Sequence, residues 1–230
     1  SVWGISSLAN IIVEFYFKGV TSHAAASPHL GRSALDAAEL MNVGVNFLRE
    51  HVIPEARIHY AYRDVGGGAP NVVQDSAMVL YFIRAPKTEQ VMEIYPRVVK
   101  CAEGAAHMTE TELTVEIKTA LSDYIPNDVV SQAMSDAMME LGPIEFSDEA
   151  WAFAKEMYKS LSESDIKSGI GSLRSYMPAD VAAKRVEEAI IPDVFPYKRL
   201  PIHMPGSTDV GDVSYVVPTA QLSAATAIIG

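Results

Sequence analysis

The chain has 230 residues, of which 49% are hydrophobic and 20% are charged, and its formal net charge is −11 at pH 7. This hydrophobic share is typical of a folded domain and excludes a disordered chain, whereas the negative charge disfavours nucleic acids and anionic membranes as partners, because their own charge would repel it. No uncharged apolar run reaches the roughly 18 residues of a membrane span, and the first residues do not resemble a signal peptide. Cys101 is the only cysteine. We therefore expect a cytoplasmic protein without disulfides.

Residues 8–118 alternate between strand and helix patterns. The run NIIVEFYF has an apolar face made of every second residue, which predicts a strand. A helix follows, because apolar residues recur every three or four positions, and Ser33 with Asp36 resembles a capping box at its start. The later elements are the strands RIHYAYR, AMVLYFIR (apolar on both faces, as in a buried strand) and ELTVEIK, and a helix marked by Val91, Ile94, Val98, Ala102 and Ala105. The order βαββαβ predicts a ferredoxin-like sandwich with two helices on one face of an antiparallel sheet.

Residues 119–230 have a different pattern. NDVVSQAMSDAMMELG and SDEAWAFAKEMYKSL each predict a helix, the second beginning at Ser147 or Asp148. Residues 164–206 are rich in proline and show one short helical pattern near Ala179–Ile190. The chain then continues as the turn-rich GSTDVGDVSYVVPTAQLSAATAIIG. We therefore expect an α/β (α+β) fold: a ferredoxin-like domain at 8–118, followed by an incomplete α/β domain at 119–230.

Residues able to support catalysis are sparse. His23 and His29 lie six apart in the small-residue loop GVTSHAAASPHLG, which is either a polar loop that precedes a helix or a means of holding a side chain out to a substrate. Asp209 and Asp212 could share a metal ion, although a turn with two aspartates is more often a capped loop. There is no G-x-S-x-G motif, and GGGAPN lacks the lysine and hydroxyl residue of a phosphate-binding loop.

Three segments together resemble the co-catalytic metallopeptidases of the aminoacylase and glutamate carboxypeptidase type. They are FKGVTSHAAASPHLGRSALDAAELMNVGVNFLREHV, GGGAPNVVQDSAMVLYFIRAP and GSTDVGDVSYVVPT. The resemblance implies a metal-dependent amidohydrolase that cleaves the amide of an N-acyl amino acid such as p-aminobenzoyl-glutamate. It also implies a catalytic domain with two divalent metals, zinc or manganese, and an inserted βαββαβ lid that forms a homodimer. Residues 8–118 are similar to that lid, and residues 119–230 to the C-terminal part of the catalytic domain.

The same resemblance implies roles for three side chains. His23 would reach into the partner subunit's active site and stabilise the oxyanion, and Asn71 and Arg84 would bind the carboxylate of the substrate. Each residue has a structural alternative. His23 could hydrogen-bond its own loop, Asn71 could occupy a left-handed turn, and Arg84 could be a charge on an edge strand. We expect His29 to support the loop.

The sequence also departs from the family pattern. The His-x-Asp pair, the further aspartate and the Glu-Glu pair that precede the lid in the family do not occur here, nor does the histidine that follows the last strand. Glu187-Glu188 is a Glu-Glu pair, but it follows the lid, so no metal role is assigned to it. We therefore expect a fragment that binds no metal by itself. The alternative is a non-catalytic dimerisation or small-molecule-binding module, since the fold alone does not decide function.

Overall fold

A computed structural model describes residues 1–177, 189–224, 226 and 228. In chain order its elements are β1 (Trp3–Ser7), β2 (Ala9–Lys18), α1 (Ala34–Leu48), β3 (Arg57–Asp64), β4 (Ser76–Ala85), α2 (Thr88–Thr109), β5 (Glu112–Leu121), α3 (Asp128–Leu141), α4 (Asp148–Lys159), α5 (Glu163–Tyr176), β6 (Lys198–Met204) and α6 (Val210–Ser214). The chain divides into two compact units. The sheet unit comprises Ser6–Tyr124 and His203–Tyr215, and the helical unit comprises Ser1–Ile5, Ile125–Ile202 and Val216–Gly230.

The sheet unit has the predicted ferredoxin-like topology. Its four strands lie in the order β3-β4-β2-β5, and each neighbouring pair is antiparallel. One face of the sheet packs against α1 and α2, and the core between them holds every second residue of β2 and β4. These strand residues are Ala9, Ile11, Val13, Phe15, Phe17, Ala77, Val79, Tyr81, Ile83 and Ala85. The predicted α+β fold class is thus confirmed for this unit.

The first helix of the sheet unit begins as the sequence predicts. The Asp36 N–H donates to the Ser33 Oγ at 3.1 Å, so the serine satisfies one of the free amides of the first turn. The apolar stripe of α1 is buried, and so is Asn42, which lies on the same side of the helix. Asn42 donates to the Tyr62 hydroxyl at 3.0 Å and accepts from the Tyr81 hydroxyl, so this buried amide has partners on two strands.

The strand β4 is not buried on both faces, contrary to the expectation from its apolar run. Ala77, Val79, Tyr81, Ile83 and Ala85 are buried, whereas the residues between them are only half-buried. Both helices cover the same face of the sheet, so the other face of β4 keeps contact with solvent. An uninterrupted apolar run therefore did not distinguish a strand covered on two faces from one covered on a single face.

Among its described residues, the helical unit contains the two helices predicted for it and one that was missed. The Asn127 side chain caps α3 by accepting from Val130 N–H, and the Ser147 side chain caps α4. The missed helix is α5, which begins with a capping box between Ser162 and Asp165. The helix expected near Ala179–Ile190 falls mostly on residues 178–188, which lie outside the described residues. In the part of the chain that is described, no helix has the length and apolar character needed to cross a membrane.

Candidate functional site

The loop that carries His23 is closed by backbone hydrogen bonds at its base. Val20 N–H donates to Arg32 C=O at 2.9 Å, and Arg32 N–H donates back to Val20 C=O at 2.8 Å. Gly19 is required at this point, because a Cβ there would lie 2.0 Å from the Arg32 carbonyl oxygen. The loop is therefore a closed Ω-like structure anchored between β2 and α1.

His23 is held by its own loop and is exposed. Its Nδ1 accepts hydrogen bonds from the Ala25 N–H at 3.2 Å and the Ala26 N–H at 3.1 Å, and its carbonyl accepts from the Ser27 N–H at 2.9 Å. Because Nδ1 acts as the acceptor, the neutral imidazole carries its proton on Nε2. Bonding to the loop and presenting a donor are therefore compatible, since the first uses Nδ1 and the second uses Nε2.

The structure brings His23 and Asn71 together. His23 forms an antiparallel bridge with Val72, and the Asn71 carbonyl accepts from the Ala24 N–H at 2.9 Å. The left-handed alternative for Asn71 is wrong, because Glu110 is the one non-glycine residue with positive φ among those described. Asn71 is exposed beside the His23 loop, so both side chains are available at the same end of the sheet.

The glycine-rich loop before Asn71 is organised by Asp64. The Asp64 carboxylate accepts from the Gly66 N–H at 3.0 Å and from the Ser76 hydroxyl at 2.8 Å, and these hydrogen bonds hold its pKa below the usual range. Gly66 has a φ of +72°, a conformation that side chains with a Cβ rarely adopt. The glycines of GGGAPN therefore form a turn between strands, as the sequence indicates.

Arg84 lies at the opposite end of the sheet. It is eight residues along β4 from Ser76, which places it about 27 Å away at a rise of roughly 3.4 Å per residue. Its guanidinium lies 5.5 Å from the centre of the Phe82 ring, and Nη1 donates to the Pro205 carbonyl at 3.0 Å. The edge-strand alternative for Arg84 is wrong, because β4 lies between β3 and β2. Within one chain, Arg84 and His23 do not share a site.

The segment 203–215 is fixed to the sheet unit by Asp123, which the sequence did not single out. Asp123 is fully buried and accepts from Lys87 Nζ at 2.8 Å, from Thr88 N–H at 2.9 Å and from the Tyr215 hydroxyl at 2.8 Å. Burial alone would raise its pKa, but the hydrogen bonds from Lys87, Thr88 and Tyr215 lower the pKa to about 2. In the sequence, the one signal for Asp123 was its position just after a predicted strand.

The chain is similar in sequence to proteins whose names are known. No protein-family model matches it. It is 46% identical over 218 residues to one of the subunits of the p-aminobenzoyl-glutamate hydrolase of Escherichia coli (strain K12), a match that covers 94% of this chain and 45% of that protein. It is 32% identical over 144 residues to the Xaa-Arg dipeptidase of Mus musculus, a match that covers 61% of this chain and 32% of the dipeptidase. The chain spans less than half the length of these relatives.

A solved structure supports the fold independently of sequence identity. An amidase of the hydantoinase/carbamoylase family from Burkholderia multivorans superposes with a TM-score of 0.56 at 13% identity, covering 94% of this chain and 40% of that protein. The sequence comparison confirms the resemblance carried by the three segments, and the structural comparison confirms the fold class.

The described residues do not fit the pair of divalent metals that the resemblance implies. Within the described ranges, no three His, Cys, Asp or Glu side chains come close enough to hold a metal ion. Asp212, a candidate from the sequence, accepts from the Ser122 N–H at 3.0 Å and so links α6 to the end of β5. The Glu187-Glu188 pair lies outside the described residues. Cys101 packs against the core, and burial raises the pKa of its thiol, which disfavours a nucleophilic role.

Proposed function

We propose that this chain is part of a metal-dependent amidohydrolase that cleaves the amide of an N-acyl amino acid such as p-aminobenzoyl-glutamate. Residues 8–118 would serve as its lid and dimerisation domain, and residues 119–230 as the C-terminal part of its catalytic domain. The 46% identity to the Escherichia coli hydrolase supports the substrate class. The two divalent metals, zinc or manganese, would supply the Lewis acid, and we assign them no ligand among the described residues. The cytoplasm is the proposed location.

The orientation of His23 is the observation that carries this proposal. Two backbone amides occupy Nδ1, so the exposed ring presents Nε2–H as a fixed donor. A donor fixed in advance is most effective where negative charge develops during acyl transfer, because it needs no reorganisation at the moment of reaction. His23 would therefore stabilise the oxyanion, with Asn71 close to the same end of the substrate.

Dimerisation is supported by an exposed apolar surface beside an edge strand. Leu40, Val43 and Phe47 on α1 are exposed, and so are Tyr60 and Tyr62 on the edge strand β3. An edge strand next to apolar side chains is a usual site for pairing with a second copy. The separation of about 27 Å along β4 supports the same arrangement, since His23 and Arg84 could contact one substrate only if two copies supplied them.

Replacing His23 by asparagine tests the proposal. Asparagine can accept from the same loop amides in an Asx turn, so the loop is expected to persist, but its shorter side chain does not carry an N–H out to the position of the histidine Nε2–H. We expect the substitution to lower kcat by about 10²- to 10³-fold, the usual cost of losing an oxyanion donor. The measurement is hydrolysis of p-aminobenzoyl-glutamate, with zinc or manganese supplied, by the protein at its natively encoded length.

His29→Asn is the matched control, because His29 is exposed in the same loop and contributes only its carbonyl, to Arg32 Nη1. We expect its kcat to stay within about twofold of the unsubstituted protein, as for a neutral surface change. Unchanged turnover in a folded His23→Asn variant would overturn the role of His23. Dimerisation and ligand binding without metal-dependent turnover would instead favour the non-catalytic module.

A further inference from the structure

Three polar residues form a row across the sheet unit, on the face opposite the helices. Arg84 in β4 is the cross-strand partner of Asn10 in β2 on one side and of Arg57 in β3 on the other. Cross-strand partners point to the same face, so the two arginines are direct neighbours at the strand spacing of about 4.8 Å. Arg57 is exposed, Arg84 is half-buried and Asn10 is buried. The row is therefore open to ligands from the β3 side.

Directly opposed like charges destabilise an antiparallel pair. Neither arginine forms an ion pair within the described residues. The Arg57 Nη1 donates to the carbonyls of Pro54 at 2.6 Å and Ala56 at 2.7 Å, and the Arg84 Nη1 donates to Pro205. The Arg84 Nε is buried without a hydrogen-bond partner. Each guanidinium is thus anchored through Nη1, and the Nε–Nη2 edge of Arg84 has the fork geometry that suits a carboxylate.

The neighbouring histidine responds to the same positive charge. His59 is two residues after Arg57, on the same face of β3. Burial and the positive charges of Arg84, Arg49 and Arg57 together lower the pKa of His59. A chain with a net charge of −11 therefore carries a local positive field at this end of its sheet.

We propose that Arg57 and Arg84 together bind an N-acyl amino acid with two carboxylates, so that Arg57 sets a preference for acidic amino acids over uncharged ones. Arg84 takes the α-carboxylate, which rests on the proposed function, and Arg57 takes the side-chain carboxylate. In a glutamyl group, three carbon atoms separate the two carboxyl groups, a reach comparable with the spacing of adjacent strands. The bound dianion would also remove the repulsion between the two arginines.

Binding without hydrolysis tests this inference. The probes are N-acetylglutamate and N-acetylglutamine, which differ only in the charge and hydrogen-bonding of the side-chain terminus, titrated calorimetrically into the 230-residue chain without metal. We expect N-acetylglutamate to bind more tightly, and Arg57→Gln to reduce this preference by about tenfold through loss of one charge-assisted contact. Arg57→Lys keeps the charge without the fork and should retain part of the preference. Arg63→Gln, an exposed arginine on the same strand outside the row, is the control and should change nothing.

A second measurement follows His59 by NMR. Because a bound carboxylate offsets the arginine charges, N-acetylglutamate should raise the pKa of His59 more than N-acetylglutamine does. Equal affinity for the two probes, no binding of either, or an equal effect of Arg57→Gln and Arg63→Gln would overturn the inference. Loss of turnover in the His23→Asn variant leaves these binding results unchanged, so failure of the catalytic proposal and failure of this one are distinguishable.

Discussion

The two units of the chain bury their apolar residues to very different extents. In the sheet unit, Phe15, Phe17 and Tyr81 have no exposed surface, because two helices cover one face of the strands. In the helical unit, Phe153 is 67% exposed and Leu141 is 86% exposed. The sheet unit therefore contains the partners that its amphipathic elements require, whereas the helices of the other unit show the apolar pattern without burying it. An apolar periodicity thus predicts a helix but does not by itself fix its packing.

Truncating a phenylalanine in each unit should give the largest difference. Phe15→Ala removes a fully buried ring that packs edge-on against Tyr81, and we expect it to lower the free energy of unfolding of the sheet unit by about 3–5 kcal/mol. Phe153→Ala removes an exposed ring and should change stability by no more than about 0.5 kcal/mol. Amide hydrogen exchange of the β2 and β4 residues measures the first effect.

Tryptophan fluorescence measures the effect of Phe153→Ala on the stability of the helical unit. Trp3 and Trp151 are the two tryptophans of the chain, and both lie in that unit. A large loss of stability from Phe153→Ala would show that this ring is covered in solution. The contrast between the units would then be smaller than their exposed surfaces indicate.

The fold of the sheet unit was predictable because its signals are local. Alternation in β2 and β5, the three- and four-residue spacing in α1 and α2, and the Ser33 cap each specify an element without knowledge of its neighbours. The helix α5 was missed because Gly169 and Gly171 lower its helical propensity, although the capping box at Ser162 marked its start. The strand β6 contains Pro201, which argues against a strand. The formation of α5 and β6 therefore depends on tertiary contacts, which a local sequence pattern does not show.

The candidate site was predictable only residue by residue. The family resemblance pointed to His23, Asn71 and Arg84, but their grouping depends on strand register. Register places Asn71 beside the His23 loop and Arg84 about 27 Å along β4 from Ser76. The pairing of Arg57 with Arg84 also follows from register, which hydrophobic alternation does not fix when the loops between strands are long.

Acid should weaken the sheet unit through Asp123. Its pKa in the folded chain is about 2, below the usual value of 3.8, so its contribution to stability is complete above pH 3.8 and is lost as the pH falls towards 2. We expect a loss of about 2 kcal/mol over that range from this group alone. Asp123→Asn should flatten the dependence, as measured by urea unfolding at several pH values between about 2 and 5.

The helical unit offers a matched comparison for acid. Hydrogen bonds from Tyr197 and Arg199 lower the pKa of Asp128, but its side chain is largely exposed. Asp128→Asn should therefore leave the acid dependence of the sheet unit unchanged. An equal effect of the two substitutions would indicate that net charge, and not the buried network around Asp123, governs acid stability.

The smallest contrast concerns two serine caps with nearly the same geometry. The Ser33 Oγ accepts from Asp36 N–H at 3.1 Å at the start of α1, and the Ser147 Oγ accepts from Ala150 N–H at 3.2 Å at the start of α4. Removal of either cap costs its helix about 1 kcal/mol. The two substitutions should differ in which part of the chain they destabilise. Most of the inward stripe of α1 is in the core, so Ser33→Ala should lower the stability of the whole sheet unit. The helix α4 buries Ala154 alone among its described residues, so Ser147→Ala should only fray that helix. Hydrogen exchange distinguishes the two outcomes, since only Ser33→Ala should accelerate exchange in the strands. Acceleration by both would mean that α4 is coupled to the sheet unit and that its exposed apolar face is covered in solution.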